Sequence, residues 1–179
     1  MPQPLTPVIR TATPEDAAAL AAFAAQAFAD TYRDLDDAQD IADYVATHFQ
    51  PGVMAAVILD AACTTLLAEM DGRLAGYAIV RDAPPPPCVS AAAPIELWRL
   101  YLGQDFLGLG LGARLMREVH SRARQRGART LWLGVYDRNL RAVEFYRRSG
   151  FVQVGSKEFL FGGRLYMDPI YAAAVRPQE

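Results

Sequence analysis

The sequence predicts a single α/β domain, residues 1–179, built on a mixed β-sheet, and three observations predict this fold. The order strand, glycine-rich loop, helix, strand over residues 95–135 is typical of a parallel strand pair joined by a right-handed crossover. Hairpin signals at Asp71-Gly72 and Gly162-Gly163 add antiparallel strands on either side of this unit. The length of 179 residues, 52% of them hydrophobic, fits one domain with a sizeable core.

The remaining elements follow from local patterns. Thr13-Pro14-Glu15-Asp16 combines a hydroxyl cap, an early proline and acids near the positive end of the helix dipole, so a helix is expected to start there. A second, acidic helix is expected over residues 36–48, closed by Pro51-Gly52, whereas residues 53–62 are apolar without a clear period and indicate no element. Further helices are predicted over residues 110–126 and 139–149, and strands over residues 8–12, 64–70, 73–81, 95–102, 130–135, 151–161 and 164–171.

Composition and charge exclude several classes of function. The net charge of −2 gives no broad field that would attract nucleic acid or an anionic membrane. No apolar stretch reaches the roughly 18 residues of a membrane span, and residues 1–7 lack the pattern of a secretory signal. Cys63 and Cys88 form neither a CxxC pair nor a His-Cys ligand spacing. We therefore expect a cytoplasmic protein with no metal site and no nucleic-acid or membrane partner.

A glycine-rich loop joins the strand over residues 95–102 to the following helix. Such a loop can aim several backbone N–H groups at one point, beside the positive end of the helix dipole. A pyrophosphate fits there, because glycines let its oxygens approach without a Cβ in the way. A glycine turn that only packs the helix onto the sheet is the alternative. The residues expected to bind the pyrophosphate are Leu107, Gly108, Leu109, Gly110, Gly112 and Ala113.

Two other phosphate-binding motifs share features with this loop. Gly108, Gly110 and Ala113 satisfy the dinucleotide fingerprint, and Asp137 lies at the end of the next strand, so an NAD(P)-dependent oxidoreductase is a minor alternative. It is disfavoured because a doubly wound fold continues through further β-α units, whereas only one helix and a hairpin follow here. A P-loop is excluded, because no Gly-Lys-Ser/Thr follows the glycines.

The second motif covers the predicted helix over residues 139–149 and reads Asn139-Leu140-Arg141-Ala142-Val143-Glu144-Phe145-Tyr146-Arg147-Arg148-Ser149-Gly150-Phe151. At 3.6 residues per turn, Asn139 and Tyr146 lie on one face of this helix. Together with the glycine loop, over roughly residues 95–152, the motif resembles the GNAT superfamily of N-acetyltransferases. The stretch Glu96-Leu97-Trp98-Arg99-Leu100-Tyr101 is also loosely similar to bacterial spermidine/spermine-type acetyltransferases.

The resemblance implies a fold, a cosubstrate and several roles. The sheet would be mostly antiparallel, with a parallel pair splayed at the cofactor site and helices on both faces. The cosubstrate would be acetyl-CoA. Tyr146 matches the tyrosine that protonates the departing CoA sulfur, and Asn139 matches an asparagine of the cofactor helix, where it would also cap the helix. The strand end at Tyr101 and Leu102 would bind the pantetheine arm, with the Leu102 N–H on the thioester oxygen.

One position departs from the family pattern. Leu107 stands where the family usually has Arg or Gln, which removes one side-chain contact near the pyrophosphate. The main-chain donors do not depend on that side chain. Arg114, one turn into the helix, is a candidate for the missing contact, and a solvated surface arginine is the alternative.

Acetyl transfer to an alkylamine also needs a base, since such an amine resembles lysine, with a pKa of about 10.4. Glu96 is the candidate base, acting directly or through water. A structural carboxylate paired with Arg99 or Arg81 is the alternative. Strand alternation predicts one shared side for Glu96, Trp98, Leu100 and Leu102.

The acceptor is expected to be a small-molecule, polyamine-like or peptide amine. An acidic cluster in and before the second helix could attract such a cation, although a solvated helix face is the favoured explanation. Its members are Asp30, Asp34, Asp36, Asp37, Asp40 and Asp43. Phe28 and Tyr32 are candidates for lining the acceptor cleft. A non-catalytic acyl-CoA-binding module is the main alternative function, and an exposed final strand would allow two subunits to pair.

Overall fold

The computed structural model describes residues 7–177 of the chain. The predicted lack of a secretory signal in residues 1–7 therefore falls almost wholly outside the described residues. The strands are β1 Val8–Thr11, β2 Cys63–Met70, β3 Arg73–Arg81, β4 Pro94–Leu102, β5 Thr130–Gly134, β6 Val152–Phe161 and β7 Arg164–Ala174. The helices are α1 Ala17–Tyr32, α2 Ala38–His48, α3 Pro51–Leu59, α4 Leu111–Gln125 and α5 Leu140–Arg148, with 3-10 turns at Pro14–Asp16 and Gln104–Phe106.

The strands of the described residues form one seven-stranded sheet in the order β1-β2-β3-β4-β5-β7-β6. Neighbouring strands run antiparallel except β4 and β5, which are parallel and joined through α4. The predicted mixed, mostly antiparallel sheet is confirmed. A doubly wound sheet, which the NAD(P) alternative requires, is not formed by residues 7–177.

Helices cover both faces of the sheet because its central strands are apolar on both sides. On β3, Ala78 and Val80 belong to a core with α4 and α5, whereas Tyr77 and Ile79 belong to a core with α1, α2 and α3. This alternation follows from the two-residue period of a strand. The first core is named here the α4-side core and the second the α1-side core.

Helix α3 is the element that the sequence pattern did not indicate. It covers Pro51–Leu59, so Pro51 begins this helix rather than closing α2. Proline is favoured in the first turn of a helix, where its missing N–H has no partner in any case. The segment is apolar around most of its circumference, and only Met54 is fully buried, against the α1-side core. A helix with so weak an apolar stripe shows no clear period in the sequence.

The parallel pair opens where the chain approaches the glycine loop. β4 pairs with β5 only over Pro94–Glu96, opposite Thr130–Trp132, and then continues unpaired on that edge to Leu102. The predicted splay is therefore present. It leaves backbone N–H and C=O groups of β4 free for another partner along the opening.

A β-bulge at Trp98 changes which side chains of β4 share a face. Ile79 lies opposite Arg99 and Val80 opposite Leu97, so Trp98 is an extra residue in the ladder. As a result, Leu100 and Leu102 pack against the α4-side core, while Trp98 and Tyr101 pack against the α1-side core. The predicted shared side for Trp98, Leu100 and Leu102 is therefore wrong, because simple alternation holds only up to the bulge.

No helix within residues 7–177 is both long and apolar enough to cross a bilayer. Among the same residues, no three His, Cys, Asp or Glu side chains are grouped so that they could hold a metal ion.

Candidate active site

A cavity of about 1160 Å³ opens at the splay between β4 and β5, bounded by α1, α4, α5 and the β6–β7 hairpin. It brings together almost all the residues singled out from the sequence. Those that line it are Phe28, Tyr32, Glu96, Tyr101, Leu102, Leu107, Gly108, Gly110, Gly112, Ala113, Asn139 and Tyr146. Leu109 does not line it, and its side chain is exposed to solvent. Only the main chain of Leu109 thus remains a candidate for the site.

The glycine loop places main-chain donors at the start of α4. Gly108 and Gly110 have φ angles of 77° and 78°, in the left-handed region that side chains rarely adopt, and a Cβ on either would meet no atom within 4 Å. Gly110 is the N-cap residue of α4 and supplies no side-chain cap. The first turn of α4 therefore has no side-chain cap, and its residues Gly112 and Ala113 line the cavity, so the positive end of the helix dipole borders the cavity, an arrangement suited to a phosphate oxygen.

Gly112 is a glycine for a different reason, close packing. A Cβ there would lie 3.2 Å from the Phe145 ring and 3.5 Å from Leu102 Cδ1. The absence of a side chain thus lets α5 approach the start of α4 closely. This packing holds the second motif beside the glycine loop, on the same face of the sheet.

Asn139 and Tyr146 lie on the cavity side of α5. Asn139 caps the helix, with its Oδ1 accepting from the Ala142 N–H at 3.2 Å. Tyr146 is 8% exposed and packs edge-on against Phe145 and Phe151. Burial, with a smaller contribution from nearby Tyr101, raises the pKa of Tyr146 well above its usual value. The hydroxyl therefore stays protonated over the whole physiological range and is available as a proton donor.

Two further tyrosines, Tyr32 and Tyr101, lie near Tyr146 on the other side of the opening. The hydroxyls of Tyr32, on α1, and Tyr101, on β4, lie 3.4 Å apart. The Tyr101 ring stacks on Tyr77 with centroids 5.8 Å apart. Burial, followed by the proximity of Tyr101, raises the pKa of Tyr32 well above its ordinary value. This part of the cavity is thus lined by neutral hydroxyl groups that can donate or accept hydrogen bonds.

Glu96 forms an ion pair with Arg81. Arg81 Nε lies 2.5 Å from Glu96 Oε2, and the guanidinium group stacks 3.8 Å from the centre of the Trp98 ring. Of the two partners named from the sequence, Arg81 is the one that pairs with Glu96. The carboxylate is 8% exposed but lines the cavity, so its pairing does not remove it from the site.

An acidic part of the cavity lies beside the phenols, formed by Asp36, Asp168, Tyr136 and Tyr166. The hydroxyls of Tyr136 and Tyr166 lie 3.4 Å and 3.5 Å from Asp36 Oδ1, and their rings meet edge to face. Burial, with the charges of Asp137 and Asp36, raises the pKa of Asp168 to about 6. Carboxylates and aromatic faces together suit a cation.

The aspartates of the predicted acidic cluster divide between two roles. Asp30 and Asp36 line the cavity. Asp37 instead caps α2 by accepting from the Gln39 N–H at 2.8 Å, and Asp43 accepts from the Gln39 side chain at 2.8 Å. Asp30 and Asp36 therefore remain candidates for attracting a cation, whereas Asp37 and Asp43 make contacts within α2.

Several lining residues were not singled out from the sequence. Asp168, Tyr136 and Tyr166 reach the cavity from β7 and from the segment after β5. The sequence does contain a signal for Asp168, because it is the single acid in the otherwise apolar residues 165–174. Arg141, on α5, lines the cavity, whereas Arg114 does not. Within the described residues, α5 rather than α4 thus supplies arginines that line the cavity.

A helix start with free N–H groups, beside a buried phenol at a sheet opening, defines a site for group transfer from a phosphate-bearing carrier. Comparison with known proteins identifies the family. A profile of the Acetyltransferase (GNAT) family matches residues 21–151. An uncharacterised N-acetyltransferase of Mycobacterium tuberculosis is 34% identical over 152 residues, covering 82% of this chain and 90% of that protein.

Two other similarities extend the comparison. Streptothricin acetyltransferase of Streptomyces lavendulae is 34% identical over 100 residues, covering 56% of this chain and 50% of that protein. The crystal structure of PaiA N-acetyltransferase from Thermoplasma acidophilum in complex with coenzyme A has the same fold. Its TM-score is 0.80 at 21% identity, covering 94% of this chain and 99% of that one.

The chain belongs to the acetyltransferase (GNAT) family. It is an N-acetyltransferase that takes its acetyl group from acetyl-CoA.

Proposed function

We propose that the protein, as a single domain, transfers the acetyl group of acetyl-CoA to a primary amine bound in the acidic part of the cavity. The observation that carries this proposal is that one cavity joins the glycine loop, the β4–β5 opening, Tyr146 and the acidic part. Carrier, reacting atoms and acceptor then meet without any large rearrangement.

The glycine loop and the first turn of α4 bind the diphosphate of the cofactor through main-chain N–H groups. Leu107 and the exposed Leu109 side chain contribute no charge, so this contact does not depend on a side-chain donor. Arg141 adds a positive charge on the α5 side. The PaiA structure, which contains coenzyme A, supports this assignment through its shared fold.

The thioester lies in the opening between β4 and β5. Gly103 N donates to Ala75 O on β3 at 2.9 Å, and successive N–H groups of an extended chain point to opposite edges. The Leu102 N–H is therefore directed away from β3, into the opening, where it can stabilise the charge that develops on the thioester oxygen. One such donor in a dry site is worth about 2.7–4 kcal/mol.

Tyr146 donates a proton to the thiolate that leaves as the amine attacks the carbonyl carbon. Its raised pKa ensures that it carries this proton at neutral pH. The released product is coenzyme A with its thiol restored. General acid catalysis of this kind typically contributes 10²–10⁴-fold in rate.

The acceptor amine must lose its proton before it attacks. Glu96 takes this proton through water, with Arg81 holding its carboxylate in place. Asp168 is a second candidate, favoured by its pKa of about 6, which leaves it ionised at neutral pH but readily protonated. Phe28 and Tyr32 line the acceptor side, and Asp36 and Asp168 attract the ammonium form.

An acceptor screen tests the proposal. The protein is incubated with acetyl-CoA and a panel of polyamines, amino acids and peptides, while free thiol is measured. We expect amine-dependent thiol release, and calorimetric binding of coenzyme A but not of NAD. Binding of coenzyme A without turnover on any amine would contradict the proposal and support the acyl-CoA-binding module instead.

A further inference from the structure

Arg99 is a buried cation for which the described part of the chain provides no anionic partner. It lies on β4, is 6% exposed, and lines the cavity. Its Nη1 atom is buried without a hydrogen-bond partner, and it forms no ion pair with a residue of the range 7–177. An unpaired charge and an unsatisfied donor are both costly inside a protein, so they call for an explanation.

The neighbours of Arg99 hold it in place without neutralising it. Its guanidinium carbon lies 4.4 Å from the centre of the Phe49 ring and 4.6 Å from that of Trp98. Glu96, the nearest acid along the strand, is already paired with Arg81 over the same Trp98 ring. The positive charge of Arg99 is therefore not neutralised. Burial of His48 lowers the pKa of that residue, and the charge of Arg99 lowers it further.

The residues of a second cavity beside Arg99 do not supply a counter-charge either. Arg99 also lines a neighbouring cavity of about 600 Å³, together with Asp40 and Asp43. Neither aspartate forms an ion pair with it among the described residues. Asp40 packs instead against Gly162, and Asp43 accepts a hydrogen bond from Gln39. Arg99 thus carries a charge that no described residue balances, since the Tyr77 hydroxyl beside it is neutral, and a ligand in the main cavity, which Arg99 lines, can balance that charge.

We propose that Arg99 binds a carboxylate group of the acceptor, so that the acceptor is an amine that also carries a carboxylate, such as an amino acid. This inference rests on the proposed function and names its substrate class. A planar guanidinium group packed close to two aromatic rings matches a carboxylate geometrically and can donate two parallel hydrogen bonds to it. The acidic part of the cavity would hold the ammonium group of the same molecule.

Matched acceptor pairs test the proposal on the unmodified protein. Each amino acid is compared with the amine that lacks only its carboxylate, for example phenylalanine with phenethylamine and lysine with cadaverine. We expect kcat/KM to be about 10- to 150-fold higher for the carboxylate-bearing member, the factor that corresponds to one hydrogen bond to a charged group. Equal or better use of the bare amines would overturn the carboxylate assignment while leaving amine acetylation intact.

Arg99→Gln should remove this preference, so that the ratio of kcat/KM values within each matched pair falls towards one. Arg73→Gln is the matched control, because Arg73 also lies over an aromatic ring, 5.6 Å from the centre of Phe106, but does not line the cavity. A preference that survives in Arg99→Gln would show that Arg99 only packs against Phe49 and Trp98.

A binding measurement separates this inference from the proposed function and does not need turnover. The unfolding midpoint is measured in sodium benzoate and in sodium chloride at equal ionic strength. Benzoate should raise the midpoint of the unmodified protein and of Arg73→Gln, but not of Arg99→Gln. An equal response in all three proteins would overturn the inference, even if no amine in the panel were acetylated.

Discussion

The two parts of the cavity differ in the kind of group that each presents. The glycine loop and the start of α4 present main-chain N–H groups with almost no charged side chain, whereas the acidic part presents carboxylates and aromatic rings. Main-chain donors suit a ligand that is the same in every turnover. Side chains can be exchanged without disturbing the backbone, and they suit the part of the site that selects an acceptor.

The largest effect is expected where the two parts meet, at Tyr146. Tyr146→Phe should lower kcat by about 10²-fold or more, because the proton donor is lost while the ring remains. The acetyl-CoA dissociation constant, measured by calorimetry, should change less than threefold. Tyr171→Phe is the control: Tyr171 is 7% exposed in the α4-side core and does not line the cavity, so turnover should be preserved. Unchanged kcat in Tyr146→Phe would remove this residue from the mechanism.

In the glycine-loop part, Gly110→Ala should weaken acetyl-CoA binding by roughly tenfold, since a side chain in the left-handed region costs about 1–2 kcal/mol. The KM for the acceptor should not change. Gly127→Ala provides the control, because Gly127 has a φ of 75° and open space around it but lies at the other end of α4. That variant should lose stability and keep its affinity for acetyl-CoA. Equal affinity losses in both would indicate a general effect on α4.

In the acidic part, Asp168→Asn should raise the KM of a cationic acceptor several-fold at pH 8. Since the pKa of Asp168 is about 6, its charge is lost as the pH falls through 6. The advantage of the unmodified protein over Asp168→Asn should therefore disappear below about pH 5. Acceptor kinetics from pH 5 to pH 8 measure this. A difference that is independent of pH would exclude a role for the charge.

Asp168→Asn should also change the stability of the fold, and the direction of that change follows from the raised pKa of Asp168. A carboxyl group whose folded pKa lies above its unfolded value, about 3.9, favours the folded state at low pH and loses that contribution as the pH rises through 6. Asp168→Asn should therefore have the higher unfolding midpoint at pH 8, with the difference shrinking towards pH 4. The acidic part would then be a region where binding is maintained at the expense of stability.

The smallest effect is expected for Leu109→Ala. The Leu109 side chain is 60% exposed and outside the cavity, so removing it should change the acetyl-CoA dissociation constant by less than twofold. A larger change would contradict the view that this loop binds through its main chain alone. Calorimetry with coenzyme A, beside Gly110→Ala, measures the contrast directly.

The sequence predicts those parts of the site whose residues lie close together along the chain. The loop around Gly110 and the helix carrying Tyr146 are each contiguous, so their spacing and periodicity reveal both the elements and their shared location. Asp36 lies between α1 and α2, Tyr136 follows β5 and Asp168 lies on β7, so these residues come together only in the folded protein, where β7 pairs with β5. No local pattern carries that information.

The sequence does not predict helix α3 or the bulge at Trp98, and the two reasons are related. α3 has almost no apolar stripe, so its period gives no signal. The bulge at Trp98 depends on how β4 pairs with β3, a long-range contact, and nothing in the residues themselves marks the extra position. Periodicity predicts faces correctly only while the ladder is regular.

The bulge at Trp98 has a practical consequence for anyone who redesigns the acceptor range. Upstream of it the even-numbered residue Glu96 borders the cavity from the α1 side, whereas downstream the odd-numbered residue Tyr101 does so. A mutational library that follows a simple odd–even rule along β4 would therefore mix acceptor-facing positions with the packing of α4. Randomising positions 99 and 101 together, while keeping Glu96 as the base and 97, 100 and 102 apolar, would vary recognition and spare the fold.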